Sequence, residues 1–299
     1  MDYIRKKRWA NYHSLKCKLY LRNDFNYECA YCKLHENDID VIGEGYFEKD
    51  HFQPQSNEVL HDYSNMVYAC KKCNNNKDGY VSSSFLNPCI DDIYSGVKPH
   101  IINSGRENGF VLTTLTEQGK EFIEQLKLNS RYHINLRRKR AEIREINENI
   151  KEQIRILESK GYAALITDIR QALEQQTSDI DNNFQCGSSR VGEIFVRIKG
   201  ILDDNNIENE ILLEEYNIDF KIDYDGSVYY CEVIINSIST QTVNYTYIPG
   251  DRMAEWNKNY DKLAILYYYE KTKQLFLFII PNEDGTDSRI RLTNGILIN

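Results

Sequence analysis

From about Ser130 to Gln176 the apolar positions recur every three or four residues. Ile143, Ile146, Ile150, Ile154 and Leu157 fall on one side of a 3.6-residue period, with Arg, Glu, Asn and Lys between them. This spacing predicts a long amphipathic helix. Gly161 interrupts the pattern, and Ala163, Ala164, Ile166, Ile169 and Leu173 resume it, so a helical hairpin is expected. Residues 177–183 are polar and turn-rich and read as a linker. Beyond them, Val191, Ile194, Phe195, Ile198, Ile201 and Leu202 predict another helix, which Ser188 or Ser189 can cap. The period then shortens. Residues 211–213, 218–222 and 228–235 read as strands, and Asp225-Gly226 between the last two is a two-residue hairpin signal. A helix-like segment at 253–260 precedes two further strands at 263–269 and 275–280. The first 129 residues show little long periodicity, as expected of short elements organised around a site. The expected fold class is α+β: a domain at 1–129, a helical connector at 130–183 and an α/β domain with a mixed sheet at 184–299.

No apolar run approaches the ~18 residues of a membrane span, and residues 1–8 carry Arg5, Lys6, Lys7 and Arg8 in place of an apolar signal segment. A cytoplasmic protein without membrane contact is expected. The net charge of −8 argues against a polyanion partner until it is divided: residues 1–140 carry +3 and residues 141–299 carry −11. A nucleic acid should therefore meet the first half. Arg5 to Arg8 and the run Arg137-Arg138-Lys139-Arg140 are the sequence's candidates for backbone contacts.

Four of the eight cysteines form two C-x-x-C pairs, Cys29/Cys32 and Cys70/Cys73. Each pair sets two thiolates on one tight knuckle, and together they complete the tetrahedral shell that structural Zn²⁺ prefers. Cys17, Cys89, Cys186 and Cys231 read as small core residues. Between and after the knuckles lie Asp50-His51-Phe52-Gln53-Pro54, Asn65-Met66, Cys73-Asn74 and Lys77. In this order the motifs resemble the HNH endonucleases, the zinc-knuckle branch of the ββα-metal nucleases, with Met66 where the pattern has Leu. The resemblance covers about residues 1–140 and extends to HNH proteins of bacterial defence and mobile elements.

The resemblance implies that His51 is the general base, since imidazole titrates near working pH. It implies that Asp50 and Asn74 hold one hard cation, Mg²⁺ or Mn²⁺. Asn65 would orient the base, and Lys77 would sit against phosphate. The implied activity is hydrolysis of DNA phosphodiesters in an antiphage defence setting, with a partner ATPase or sensor. A homo-oligomer, or re-engagement of one copy, would be needed to cut both strands. The other reading is a non-catalytic zinc-dependent nucleic-acid-binding module, which needs no base beside a hard-metal ligand. In the C-terminal domain, Glu193, Asp219 and Glu232-Val233-Ile234 are similar to a restriction-endonuclease-like framework of the PD-(D/E)xK type. Ile234 stands where that framework has lysine, so an inactive relative is expected.

Overall fold

The computed structural model describes residues 3, 5–38, 43–54, 61–80, 82–96, 98–104, 110–162, 190–237, 245–248, 250–280, 288–291 and 295–298. The chain divides into two compact units, Met1–Arg5 with Asn11–Ser188 and Lys6–Ala10 with Ser189–Asn299. The fold is mixed α+β, with six α-helices among the described residues.

In the first unit, α1 (Cys17–Asp24) buries Leu19, Tyr20 and Leu21. Strand β1 (Phe47–His51) pairs antiparallel with β2 (Met66–Cys70), with Phe47 opposite Cys70 and His51 opposite Met66. All five residues of β2 are buried, as its continuous apolar run requires. Helix α2 (Lys71–Lys77) follows without a loop, because Cys70 is both the last strand residue and the helix N-cap. It stops where Asp78 and Gly79 adopt φ of 43° and 70°, the left-handed region that closes helices. These three elements form a ββα unit. A short ribbon of β3 (Ile102–Asn103) and β4 (Leu112–Thr113) leads to α3 (Glu117–Gln125), capped by the Thr116 side chain accepting from Gly119 N.

The long periodic segment forms α4 (Arg131–Leu157), but Ile143, Ile146, Ile150 and Leu157 are exposed. The second arm of the expected hairpin, the linker and the capping Ser188 and Ser189 lie outside the described residues.

The second unit begins with α5 (Arg190–Asp204), β5 (Glu208–Ile211), β6 (Phe220–Tyr224) and β7 (Ser227–Asn236). Asp225 and Gly226 have φ of 51° and 70°, the pair of positive angles that a type I′ hairpin demands. Strand β5 ends at Ile211, short of the expected 211–213, because Leu213 takes a φ of 50°. After β8 (Tyr245–Ile248), α6 (Gly250–Asn259) crosses to β9 (Leu263–Tyr269), which runs parallel to β7. Strands β10 (Gln274–Ile280) and β12 (Ile296–Leu297) complete a six-stranded mixed sheet of order β12-β10-β9-β7-β6-β5, while β11 (Ser288–Arg291) pairs with β8. Its core gathers Ile218, Met253, Trp256, Ile265 and Phe278.

Residues 6–10 belong to this second unit. Tyr216 N donates to Lys7 O at 2.8 Å, and the Trp9 ring lies 5.2 Å from Tyr216 and 6.1 Å from Trp256. The N-terminal basic run is thus not a free phosphate-binding arm. Arg8 donates to Leu213 O at 2.6 Å and to Glu214 O, and Lys6 pairs with Glu214 at 3.2 Å. Arg5 donates to Met66 O and Ser64 O in the first unit. Among the described residues, no helix is long and apolar enough to cross a membrane.

Candidate active site and metal centre

The two knuckles meet because both are tied to β2. Ala30 N donates to Tyr68 O at 2.7 Å, Lys33 N closes the first knuckle onto Cys29 O at 3.0 Å, and the second knuckle starts at the end of β2 itself. The four sulfur atoms of Cys29, Cys32, Cys70 and Cys73 lie within 4.8 Å of one another. Cys32 and Cys70 are 3.8 Å apart. A tetrahedron with Zn–S bonds of ~2.3 Å has an edge of about 3.8 Å, so the geometry fits Zn²⁺. Desolvation pushes the Cys29 thiol up, yet the hydrogen bonds of Cys32, Cys70 and Cys73 outweigh it and hold Cys29 well below the ordinary thiol range. Hydrogen bonds to the neighbouring sulfurs push Cys32 up, and burial pushes Cys73 up. A thiolate is the form that zinc takes. His133, buried on α4, places Nε2 3.6 Å from Cys73 Sγ and Nδ1 3.0 Å from Lys127 O, an outer contact that the spacing of the cysteines does not reveal.

Asp50 and His51 are neighbours at the end of β1, and strand alternation sends their side chains to opposite faces. Asp50 turns toward α2. Its Oδ2 accepts from Tyr31 OH at 2.5 Å, and Lys77 Nζ lies 3.4 Å from each carboxylate oxygen. Burial raises the Asp50 carboxyl above its ordinary value, against the pull of Lys77 and Tyr31. Lys77, expected against phosphate, is only 1% exposed and also donates to His51 O at 2.7 Å. It is an internal cation joining α2 to the end of β1. Glu48 shares the Asp50 face of β1, two residues earlier, and accepts from Asn74 Nδ2 at 2.8 Å. This face of β1 therefore meets Asn74 and Lys77, which share a face of α2 at a spacing of three. Glu48 and Asn74 form its half-exposed rim, with Asp50 and Lys77 buried below. Two carboxylates and an amide oxygen are hard donors of the kind that Mg²⁺ or Mn²⁺ takes. Here the Asp50 oxygens already meet Tyr31 and Lys77, and Asn74 turns its Nδ2 to Glu48, so a cation would have to displace these partners. Glu48 was not singled out by sequence; its position two residues before Asp50 in a strand was the available signal.

His51 faces the other way. Its ring stacks on Tyr12, with centroids 4.6 Å apart and planes at 27°, and its Nε2 lies 3.3 Å from His61 Nδ1. Asn65 holds the backbone beyond His51. Its Oδ1 accepts from Gln53 N at 2.9 Å and its Nδ2 donates to Gln53 O at 3.0 Å, while its carbonyl accepts from Phe52 N. Asn65 thus clamps the backbone that follows His51. The structure brings Asp50, Asn74 and Lys77 to one β1–α2 interface, stacks His51 on Tyr12 beside His61, and ties Asn65 to the backbone of Gln53. His61 and Tyr12 carry no motif signal; from sequence, His61 reads as an ordinary surface residue or a phosphate contact.

Burial, followed by the charges of His61, Lys77, Lys49 and His13, pushes the His51 imidazole below its ordinary 6.5. A base works when neutral, and a lowered pKa keeps it neutral to lower pH. A bound cation would push in the same direction. If His51 serves as the base of a cleavage reaction, the acid limb of its profile is therefore expected to have its midpoint below 6.5. Turnover at saturating substrate from pH 5 to 8 at fixed ionic strength measures it, and a midpoint above that value would contradict the burial of His51.

In the second unit the three carboxylates of the restriction-endonuclease-like pattern are differently placed. Glu193 is exposed, Asp219 is fully buried with Oδ2 accepting from Val233 N at 2.8 Å, and Glu232 pairs with Arg252. Arg252 in turn lies over the rings of Trp9 and Trp256, 4.7 Å from each centroid. Among the described residues, the four cysteines are the one group of three or more Cys, His, Asp or Glu placed to share a metal.

No curated protein matches the chain. Residues 29–79 match the family model of the HNH endonucleases, and with the four-cysteine cluster inside that match the first unit carries an HNH domain.

Proposed function

We propose that the protein is a divalent-cation-dependent endonuclease that hydrolyses DNA phosphodiesters, with His51 taking the proton from the attacking water. The observation that supports this best is the local build of His51. A histidine needed only for packing would have no use for the double backbone clamp of Asn65 on the next residues, the stacked Tyr12 and the neighbouring His61 nitrogen. HNH nucleases use divalent metals, and Asp50 and Asn74 would hold the cation here, with Glu48 on the same rim. Because the His51 ring lies on the other face of β1, the scissile phosphate would have to bind at the strand end, where both faces are within reach. Such a cation neutralises charge on the scissile phosphate when bound. Lys77 contributes from within: it offsets the buried Asp50 charge and fixes the His51 carbonyl, which sets where β1 ends. The zinc cluster braces the ββα unit and takes no part in the chemistry.

The substrate reading rests on the likeness to HNH proteins of bacterial defence, which also suggests an antiphage setting. The second unit fits a non-catalytic role, because Glu232 is matched by Arg252 and Asp219 by backbone. With its carboxylates matched within the fold, this unit suits a protein partner, such as an ATPase or sensor. The test is plasmid cleavage in Mg²⁺ or Mn²⁺ by the full chain, beside His51→Ala. Removal of a general base is expected to slow cleavage by about 10²–10⁴-fold with zinc content unchanged. Equal cutting by both proteins would remove His51 from the reaction, and cleavage by neither would favour a binding module.

A further inference from the structure

The rings of His51 and His61 meet nearly edge-to-face, at 78°, with the 3.3 Å nitrogen pair between them. Across that distance one nitrogen donates and the other accepts. Two arrangements are open to neutral rings. If His61 Nδ1 donated, His51 would carry its hydrogen on Nδ1 and use its lone pair on His61, leaving no site for the proton of water. If His51 Nε2 donates, the lone pair lies on Nδ1 of His51. Only the second arrangement leaves His51 a base.

His61 is itself held in place. Its carbonyl accepts from Tyr12 N at 2.9 Å, Asn11 and Asp62 form an antiparallel bridge, and the His13 ring lies 5.1 Å from that of His61. The same short segment carries Asn65, so residues 61–65 reach the base twice, once at its ring and once at the backbone beyond it. Tyr12, paired with His61 through the backbone, fixes the plane of the His51 ring by stacking.

We propose that His61 is a positioning residue whose Nδ1 accepts from Nε2–H of His51, fixing the tautomer that carries the reactive lone pair on Nδ1. This rests on the reading of His51 as the base and adds a second residue to it. His61→Phe keeps an aromatic ring beside Tyr12 and His13 but removes the acceptor. His61→Asn puts an amide oxygen near the former Nδ1 position. In the full chain with Mg²⁺, His61→Phe is expected to lower kcat at least tenfold, with KM within about twofold and melting temperature and zinc content unchanged. His61→Asn should recover most of that loss. Nitrogen-detected NMR of the imidazoles supplies a readout independent of turnover: His51 should show the Nε2–H tautomer in the wild type and a mixture in His61→Phe. A His61→Phe variant with kcat within twofold of wild type, an equal loss in Phe and Asn variants, or an Nδ1–H tautomer in the wild type would each overturn the assignment. His51→Ala in the same assay separates the two readings. If it still cuts, the base reading falls and His61 with it; if it is inactive while His61→Phe is not impaired, only the role of His61 falls.

Discussion

Cys70→Ser is expected to abolish stoichiometric zinc and unfold the ββα unit. Cys70 holds two positions at once. It ends β2 opposite Phe47, and it caps α2, where its sulfur accepts from Cys73 N at 3.4 Å. Its sulfur is also one vertex of the four-cysteine cluster. Structural Zn²⁺ in small zinc-binding domains contributes an apparent 10–16 kcal/mol, roughly the whole stability of a domain or more. Serine offers a harder, more basic oxygen in place of a thiolate, so the cluster loses a ligand that zinc takes in preference. Metal analysis should fall from one zinc per chain toward none. Limited proteolysis should then cut within β1, β2 and α2, where the wild type is expected to resist. Chelation of the wild type should reproduce this, and returned zinc should reverse it. Full zinc occupancy and unchanged melting in Cys70→Ser would show that the cluster is not the support of this unit.

The parts of the molecule that could be read from sequence are those in which a local rule has one solution. Two C-x-x-C pairs in a chain of this kind imply a four-thiolate site, and the structure assembles it. Asp225-Gly226 implies two positive φ angles, and both are present. Residues 263–269 read as a strand and form β9 with those bounds. What could not be read depends on acceptors that every residue carries. The guanidinium of Arg8 is bound by carbonyls of residues 213 and 214, and that of Arg137 by the carbonyls of Phe110 and Leu128. A sequence shows where positive charge lies but not which main-chain oxygens turn toward it, so both basic runs resembled phosphate contacts. His61 was hidden for a related reason: ten residues separate it from His51, and a turn rather than a period brings them together. The face on which Asp50 lies follows from alternation, but the partner on that face does not.

Lys77 is where that distinction has its largest consequence for stability. Its ammonium is buried between both Asp50 oxygens and the His51 carbonyl, so Lys77→Met removes the partner of a buried carboxylate. Breaking such a pair from one side costs about 3–5 kcal/mol, because the remaining charge stays desolvated. For a unit of this size that corresponds to a fall of roughly 6–20 °C in melting temperature. A second change, Asp50→Asn, removes the orphaned charge while leaving an acceptor for the Tyr31 hydroxyl. The double variant Asp50→Asn/Lys77→Met should therefore melt higher than Lys77→Met alone, although neither is expected to cleave DNA well. A phosphate-contacting lysine behaves differently. Its removal would leave melting unchanged, weaken DNA binding evenly across sequences and reduce the salt dependence of binding by about one phosphate. Calorimetric melting of the two variants, with DNA binding measured at several salt concentrations, separates the outcomes. A stable Lys77→Met protein with a reduced salt slope would return Lys77 to the phosphate and leave Asp50 to be neutralised by other means. A destabilised one, rescued by Asp50→Asn, would show that the buried pair sets the end of β1 and with it the position of His51.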